Sequence, residues 1–186
     1  MNRRDALQRT ALIMGTALTP ALGSAILNGC VPDIELNWSP RFLTNKQALI
    51  AGQMADRIIP ATDTPGALDV HVDQFIDYML EEVYSTEDGG AYRTGIEKIN
   101  RISKKELGKD FFELTNDKKD MLLLAFDSED ERVFQITKEL TLIGYFTSEE
   151  GMKSNFEYRP IPGEYKDCVP NNPGDKVWIG NHVFNI

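Results

Sequence analysis

Apolar residues recur at helical spacing in five separate segments between residues 44 and 147. In the clearest segment they follow at steps of three, one, three, one and three residues, which places them on one helix face. These residues are Val72, Phe75, Ile76, Met79, Leu80 and Val83. The other segments run from Leu49 to Ile59, from Tyr92 to Ile102, from Met121 to Phe126 and from Val133 to Ile143. Five such helices predict an all-α fold, a small antiparallel bundle.

The first helix and the connector that follows it carry specific boundary signals. Thr44 and Gln47 have the spacing of a capping box, and Pro60 ends the helix. The connector contains the sequence Asp63-Thr64-Pro65-Gly66. Proline presets the backbone at the second position of a tight turn, and glycine is expected to supply a positive φ at the third. These residues therefore predict a short, stiff connection to the second helix.

Boundary residues also separate the later helices. Asp69 is suited to cap the second helix, the pair Gly89-Gly90 is expected to separate it from the third, and Gly108 suits a C-terminal cap. Thr115 precedes the fourth helix, whose run from Met121 to Phe126 is apolar enough to predict burial on all sides. The fifth helix is expected over about residues 130 to 147, as judged from its apolar spacing.

The last 38 residues, 149 to 186, have a different pattern. Four prolines and four glycines from Gly151 onward exclude a long regular element, so we expect an extended, irregular C-terminal tail. The tail is nevertheless too apolar to remain in water, since it includes Phe156, Tyr158, Tyr165, Val177, Trp178, Ile179, Val183, Phe184 and Ile186. It is expected to wrap its own bundle or to cover part of a partner. Residues 44–186 therefore form one helical domain that includes the tail.

The first 29 residues have the layout of an export signal. Arg3 and Arg4 stand directly before a modest apolar segment that runs uncharged from Ala11 to Gly29. A twin-arginine pair in this place is similar to the signal of the machinery that exports folded proteins. The alternatives are an ordinary secretory signal and a transmembrane helix, which Pro20 and two glycines make less suitable.

The end of this signal resembles a lipobox. Leu27 stands three positions before Cys30, and the small residue Gly29 directly precedes that cysteine. Lipid attachment at Cys30 would anchor the protein without a spanning helix, and residues 30–43 would act as a tether. The alternative is cleavage after Gly23, which would leave Cys30 as a plain thiol.

Cys168 is the second of two cysteines in the chain. If lipid occupies Cys30, Cys168 has no partner within its own chain. An odd cysteine in an oxidising compartment indicates pairing with another protein or a free thiol. Cys168 is therefore a candidate for an intersubunit disulfide, and the alternative is a free buried thiol.

The charge balance and the missing motifs exclude several classes of function. The chain has 20 basic and 29 acidic side chains, a net charge of -9, which would repel the phosphates of nucleic acid. It has no dinucleotide or phosphate-binding loop and no haem-attachment motif. Its histidines are His71 and His182. If Asp69 and Asp73 share a helix face, His71 points away from it, so the three do not form a metal site.

The connector and two later segments resemble the gluconate 2-dehydrogenase subunit 3 family. The resemblance rests on residues 58–67, which read IIPATDTPGA, followed by Phe75-Ile76-Asp77, and on residues 140–151 and 158–165. It extends over about residues 44 to 170. Within it, the turn motif of the family corresponds to Pro60, Asp63, Pro65 and Gly66.

This resemblance implies a small subunit without catalytic groups or cofactors of its own. Its partner would be a large flavoprotein of the glucose-methanol-choline type that holds FAD and oxidises gluconate or another sugar, and a cytochrome subunit with haem c can complete the complex. The small subunit would carry the twin-arginine signal for its folded partner and lie on the periplasmic side of the envelope. A lipid anchor at Cys30 departs from the family's plain signal. The alternatives are a stand-alone periplasmic lipoprotein that acts as a binding or scaffold module, and an enzyme with a deep polar pocket around His71.

Overall fold

The computed structural model describes residues 36–128 and 132–159, Cys168, Gly174 and residues 176–180. Its α-helices are α1 (Asn45–Ile58), α2 (Val72–Glu82), α3 (Thr86–Leu107), α4 (Asn116–Ser128), α5 (Arg132–Thr147) and α6 (Glu149–Asn155), with a 3-10 turn at Phe111–Glu113. Two short strands, β1 (Phe156–Arg159) and β2 (Val177–Gly180), pair in parallel. The predicted all-α bundle is confirmed, and α1 to α5 correspond to the five predicted helices. The proposed signal, with Arg3, Arg4 and Cys30, lies outside the described residues.

Several helix ends lie where their local sequence places them. Thr44 and Gln47 form the predicted capping box at the start of α1. Gly108 ends α3 with φ 74°, and its N–H donates to the carbonyl oxygen of Lys104. Ser148 caps α6 by accepting a hydrogen bond of 3.0 Å from the N–H of Gly151. These contacts join residues at most four positions apart, so the sequence alone contains the information for them.

The predicted break at Gly89-Gly90 is wrong. Helix α3 begins before these glycines, at Thr86, and Ser85 accepts from the N–H of Asp88 at 3.1 Å. Gly89 is needed for packing, since a Cβ atom at this position would lie 2.6 Å from Cζ of Phe42. The glycine therefore lets the Phe42 ring lie directly on the helix backbone.

The predicted cap of α2 is also wrong. His71, not Asp69, occupies the N-cap position, where it adopts a left-handed backbone with φ 58° and makes no side-chain capping bond. The carboxylate of Asp69 instead accepts from the N–H of Gly66 at 2.8 Å. The chain reaches α2 through a series of turns over residues 67–71. Asp69 therefore stabilises the connector.

The core lies around α1 and α5, which pack against each other and against α2, α3 and α4. Its largest fully buried side chains are Tyr92, Tyr145, Phe111, Ile50, Met54, Ile76, Leu80, Ile96, Ile99, Leu140, Val72 and Thr137. The hydroxyl of Thr137 donates to the carbonyl of Val133, so Tyr92 donates to Thr137 across 2.9 Å. Burial raises the pKa of Tyr92 well above its ordinary value.

Helix α4 is buried on one face and not on all sides as predicted. Leu122, Leu123 and Phe126 are buried, whereas Met121 and Leu124 are 54% and 68% exposed. The helix contacts α1 and α5 from one side. An apolar run can indicate burial but cannot indicate how many neighbours a helix has.

The C-terminal tail begins with regular elements, all of them short. Helix α6 spans seven residues and each strand spans four, in agreement with the prediction that no long element occurs there. The ring of Phe156 lies 5.7 Å from the ring of Phe146 at the end of α5. At least this part of the tail therefore lies on its own bundle. None of the helices in the described part of the chain has both the length and the apolarity to cross a bilayer.

Candidate functional site

The residues proposed from sequence as a metal-like cluster are used for separate contacts. Asp69 binds the connector, and the carboxylate of Asp73 accepts from Nε1 of Trp38 at 2.8 Å. The assumption that both aspartates lie on one helix is wrong, because Asp69 precedes α2. His71 is exposed at the head of that helix. Over the described ranges, no group of three or more His, Cys, Asp or Glu side chains is arranged to hold a metal ion.

Residues 36–43, here called the leading segment, are attached to α2 by a buried carboxylate. Asp77 is 2% exposed and accepts hydrogen bonds from the N–H groups of Arg41 at 2.7 Å, Phe42 at 3.2 Å and Leu43 at 2.8 Å. Three consecutive backbone donors therefore share one side chain. Charged acceptors form the stronger class of protein hydrogen bonds, so this contact determines where the chain enters the bundle.

A second set of contacts involves the ring of Phe42. The guanidinium of Arg93 lies 3.8 Å from the ring centroid and also donates to the carbonyl of Phe42. Leu43 is buried in the core. The sequence predicted a tether over residues 30–43, but residues 36–43 belong to the folded unit. Residues 30–35 of that tether lie outside the described part of the chain.

A polar corner joins α1, α3 and the 3-10 turn. Asp110 accepts from Lys46 at 2.6 Å, from Asn100 at 2.7 Å and from Lys104 at 3.2 Å. Burial alone would raise the pKa of Asp110, but the bonds from Lys46, Asn100 and Lys104 outweigh it and hold the pKa below its ordinary value. Asn100 also accepts from the N–H of Phe111 at 2.9 Å. All of these polar groups are used to hold the bundle together.

The turn motif Pro60, Asp63, Pro65 and Gly66 forms an ordered connector between α1 and α2. The carbonyl of Pro65 accepts from the hydroxyl of Tyr145 at 2.8 Å. Pro60 follows α1 as predicted, and Asp63 is exposed.

The predicted positive φ of Gly66 is wrong, since the described glycines with positive φ are Gly108 and Gly174. A Cβ atom on Gly66 would lie 2.5 Å from the backbone nitrogen of Ala61, so glycine is required for close approach.

Tyr145 joins this connector to the end of the bundle. Its side chain is 2% exposed, and its hydroxyl also accepts from Nδ2 of Asn155 in α6 at 3.2 Å. One hydroxyl therefore bonds to the α1–α2 connector and to α6 while its ring lies in the core. The structure thereby brings together residues 58–67 and 140–151, two of the segments on which the family resemblance rests.

Apolar side chains extend beyond this junction onto the surface. Leu142 and Ile143 are each 42% exposed, and Phe146 packs edge to face against Phe156. An open groove of about 770 Å³ follows, bordered by α6 and β1 and lined in part by Met152, Phe156 and Tyr158. At its edge, a hydrogen bond from Lys153 lowers the pKa of Glu149, and the same bond raises the pKa of Lys153. Exposed apolar side chains therefore predominate at this end of the bundle.

Cys168 lies on the surface. In the part of the chain that the structure describes, it is a free, exposed thiol. The alternative of a buried thiol is therefore wrong, and the intersubunit disulfide stays a prediction. Sequence reasoning missed Asp77, Tyr145 and Arg93 as organising residues. The segment Phe75-Ile76-Asp77 contained one of them, but helical spacing places Asp77 outside the apolar stripe of α2, so the sequence offered no signal for its burial.

One comparison with known proteins finds a match. A family model described as Gluconate 2-dehydrogenase subunit 3 matches residues 45–163, which is more than half of the chain. The match runs from the first residue of α1 past the end of β1 and includes the connector and Tyr145. Comparisons with curated proteins and with solved structures find no match.

Proposed function

This chain belongs to the gluconate 2-dehydrogenase subunit 3 family, and we infer from that membership that it is the non-catalytic small subunit of a flavoprotein dehydrogenase complex. The observation that carries the proposal is the family match over residues 45–163, which includes all six described helices. A subunit of this kind acts through the larger protein that it binds. Its helices and its connector serve to hold a defined surface for that partner.

The chemistry of the complex belongs to the partner subunits in this proposal. A large flavoprotein of the glucose-methanol-choline type would hold FAD and oxidise a sugar or sugar acid such as gluconate. A cytochrome subunit with haem c would accept the electrons. The small subunit assists the export, the stability and the anchoring of its partner.

The N-terminal sequence supports a location on the periplasmic side of the envelope. Arg3 and Arg4 would direct export of the folded complex, and lipid on Cys30 would attach it to the membrane. The described residues begin at Leu36, six positions after Cys30. Six residues span at most about 20 Å when fully extended. A lipid on Cys30 would therefore hold the bundle close to the membrane surface.

The export proposal is tested with an Arg3-Arg4→Lys-Lys variant in the native host. Tagged wild-type protein is expected to co-purify with a flavoprotein, identified by its flavin absorbance and by mass spectrometry. The variant is expected to reduce sugar-dehydrogenase activity in the envelope at least about tenfold, because the twin-arginine pair is the feature that the folded-protein exporter reads. Cys30→Ser serves as the control, since it should move the activity from the membrane to the soluble periplasm without abolishing it. Wild-type protein that retains no flavoprotein, with unchanged activity in the Lys-Lys variant, would contradict the proposal.

The intersubunit disulfide is tested by electrophoresis of the purified complex without reductant. We expect a band larger than the small subunit that separates into two on reduction and is missing in Cys168→Ser, because Cys168 is exposed and its compartment is oxidising. A monomer-sized band for both proteins would rule out the disulfide. That result would leave the subunit assignment intact.

A further inference from the structure

Six apolar side chains form a continuous surface at one end of the bundle, here called the α5–β face. It consists of Leu142, Ile143, Phe146, Phe156, Tyr158 and Val177. On α5, residues 142, 143 and 146 lie on one side of the helix because they are spaced by one, three and four positions. The ring contact between Phe146 and Phe156 joins this side to β1. Large exposed apolar patches of this kind usually mark interaction sites.

The pair of strands β1 and β2 contributes further exposed apolar side chains to the α5–β face. Phe156 pairs in register with Val177, so Phe156, Tyr158 and Val177 project from the same face of the pair. Tyr158 is 63% exposed and Val177 is 66% exposed. Parallel strands normally have both faces covered, and two strands alone are marginally stable in water. Within the part of the chain that the structure describes, Phe156 packs on Phe146, whereas Tyr158 and Val177 remain largely uncovered.

The groove beside β1 provides a place for inserted side chains. Its volume of about 770 Å³ is bordered by Met152 of α6 and by Phe156 and Tyr158 of β1. Pockets of 300 to 1,000 Å³, on the order of this one, hold ligands or anchor residues that become largely buried. Apolar side chains from a partner would bury the exposed rings here.

The charges around the face indicate the kind of partner. Glu139 lies on the same side of α5 as Ile143 and is exposed, and Glu149 and Glu150 begin α6 nearby. Glu157 also lines the groove. The two lysines of the groove are both engaged, since Lys153 pairs with Glu149 and Lys176 donates to the carbonyl of Lys153, so the acids of this face outnumber its lysines. The chain as a whole carries a net charge of -9. A second copy of the chain or an anionic membrane would therefore bring like charges together, whereas a partner with lysine and arginine around an apolar centre would be attracted.

We propose that the α5–β face docks the dehydrogenase subunit of the complex, through an apolar segment of that subunit flanked by basic side chains. This inference rests on the proposed function and adds to it the surface by which the two subunits bind. Cys168 lies nine residues from the end of β1 and nine residues from the start of β2, so the predicted disulfide would join the partner to the connection between these strands.

The test compares two substitutions of the same kind on different faces. Ile143→Lys places a cation on the α5–β face, and Leu124→Lys places one on the exposed side of α4. Both side chains are exposed on helices, and lysine is a good helix former, so both variants should fold. Tagged variants are purified from the native host, and the retained flavoprotein is measured by its flavin absorbance. Ile143→Lys is expected to retain at least tenfold less flavoprotein than wild type, whereas Leu124→Lys retains the wild-type amount. Val177→Lys, on the strand pair, should repeat the loss.

Each other outcome overturns the docking surface. If wild type retains a flavoprotein and Ile143→Lys retains as much, the surface is wrong and the proposed function stands. If wild type retains no flavoprotein, the proposed function is wrong, and the docking surface that rests on it is wrong as well. If light scattering shows that the isolated wild-type chain is a dimer and that Ile143→Lys is a monomer, the face binds a second copy of the chain. Binding to phosphatidylglycerol vesicles that Ile143→Lys abolishes would assign it to the membrane. A large fall in the Tm of isolated Ile143→Lys or Val177→Lys would show that the chain's own tail covers the face.

Discussion

Replacing Asp77 by alanine is expected to lower the free energy of unfolding by about 3 kcal/mol, because several backbone donors lose one charged acceptor. The N–H groups of Arg41, Phe42 and Leu43 all bond to this carboxylate. The bond to Leu43 is fully buried, so water cannot replace the lost oxygen there without opening the segment. Urea unfolding of the isolated domain, followed by circular dichroism, measures the change.

Two further variants separate the role of the acceptor from the loss of a charge. Asp77→Asn retains one carbonyl oxygen at the same position and is expected to cost less than Asp77→Ala. Asp63→Ala removes an exposed carboxylate from the connector and should change stability by less than about 0.5 kcal/mol. Equal stability of Asp77→Ala and wild type would show that the leading segment does not depend on this carboxylate.

Replacing Tyr145 by alanine is expected to cost about 4 kcal/mol, in the range of a buried aromatic residue truncated to alanine. The ring lies in the core at 2% exposure, and its hydroxyl donates to the carbonyl of Pro65. The variant therefore loses both the packing and the bond that holds the connector. Chemical denaturation of the isolated domain is again the measurement.

Tyr145→Phe and Tyr158→Ala are the matched controls for this variant. Tyr145→Phe keeps the ring and removes the hydroxyl with its two hydrogen bonds, to Pro65 and from Asn155, so it should cost about 2 kcal/mol at about 1 kcal/mol for each bond. Tyr158 is mostly exposed, and its alanine variant should change the stability of the isolated domain little while weakening the complex. A cost for Tyr145→Ala no larger than that for Tyr158→Ala would mean that the connector is not held in this way.

Local sequence signals predicted the helices well because they depend on neighbours along the chain. The capping box at Thr44, the helix stop at Pro60 and the left-handed cap at Gly108 all involve residues within a few positions of one another. The amphipathic spacing of α2 likewise needs no knowledge of which helix packs against it. The family resemblance at residues 58–67 belongs to the same class of local information, and the family match confirms it.

The Asp69 cap and the positive φ of Gly66 were wrong although their partners are at most five positions away. The other sequence-based expectations that failed, or roles that the sequence did not reveal, depend on distant parts of the chain. Gly89 leaves room for the ring of Phe42, which is 47 positions earlier in the chain. The sequence shows only the glycine pair, which is typical of a helix break. Met121 and Leu124 belong to an apolar run but face away from the bundle. Asp77 is buried although it lies outside the apolar stripe of α2, and its backbone partners are more than 30 positions away.

The sequence by itself determined that five main helices occur, where several of them end, and the family, because each depends on spacing over a few residues. The N-terminal signal stays a prediction. Only the tertiary structure decided which apolar side chains are covered and which remain on the surface. It also decided that Asp77 attaches the leading segment and that Tyr145 joins the connector to α6. The physical reason is that burial and long-range hydrogen bonds arise when helices pack, and the same amphipathic pattern is compatible with many packings.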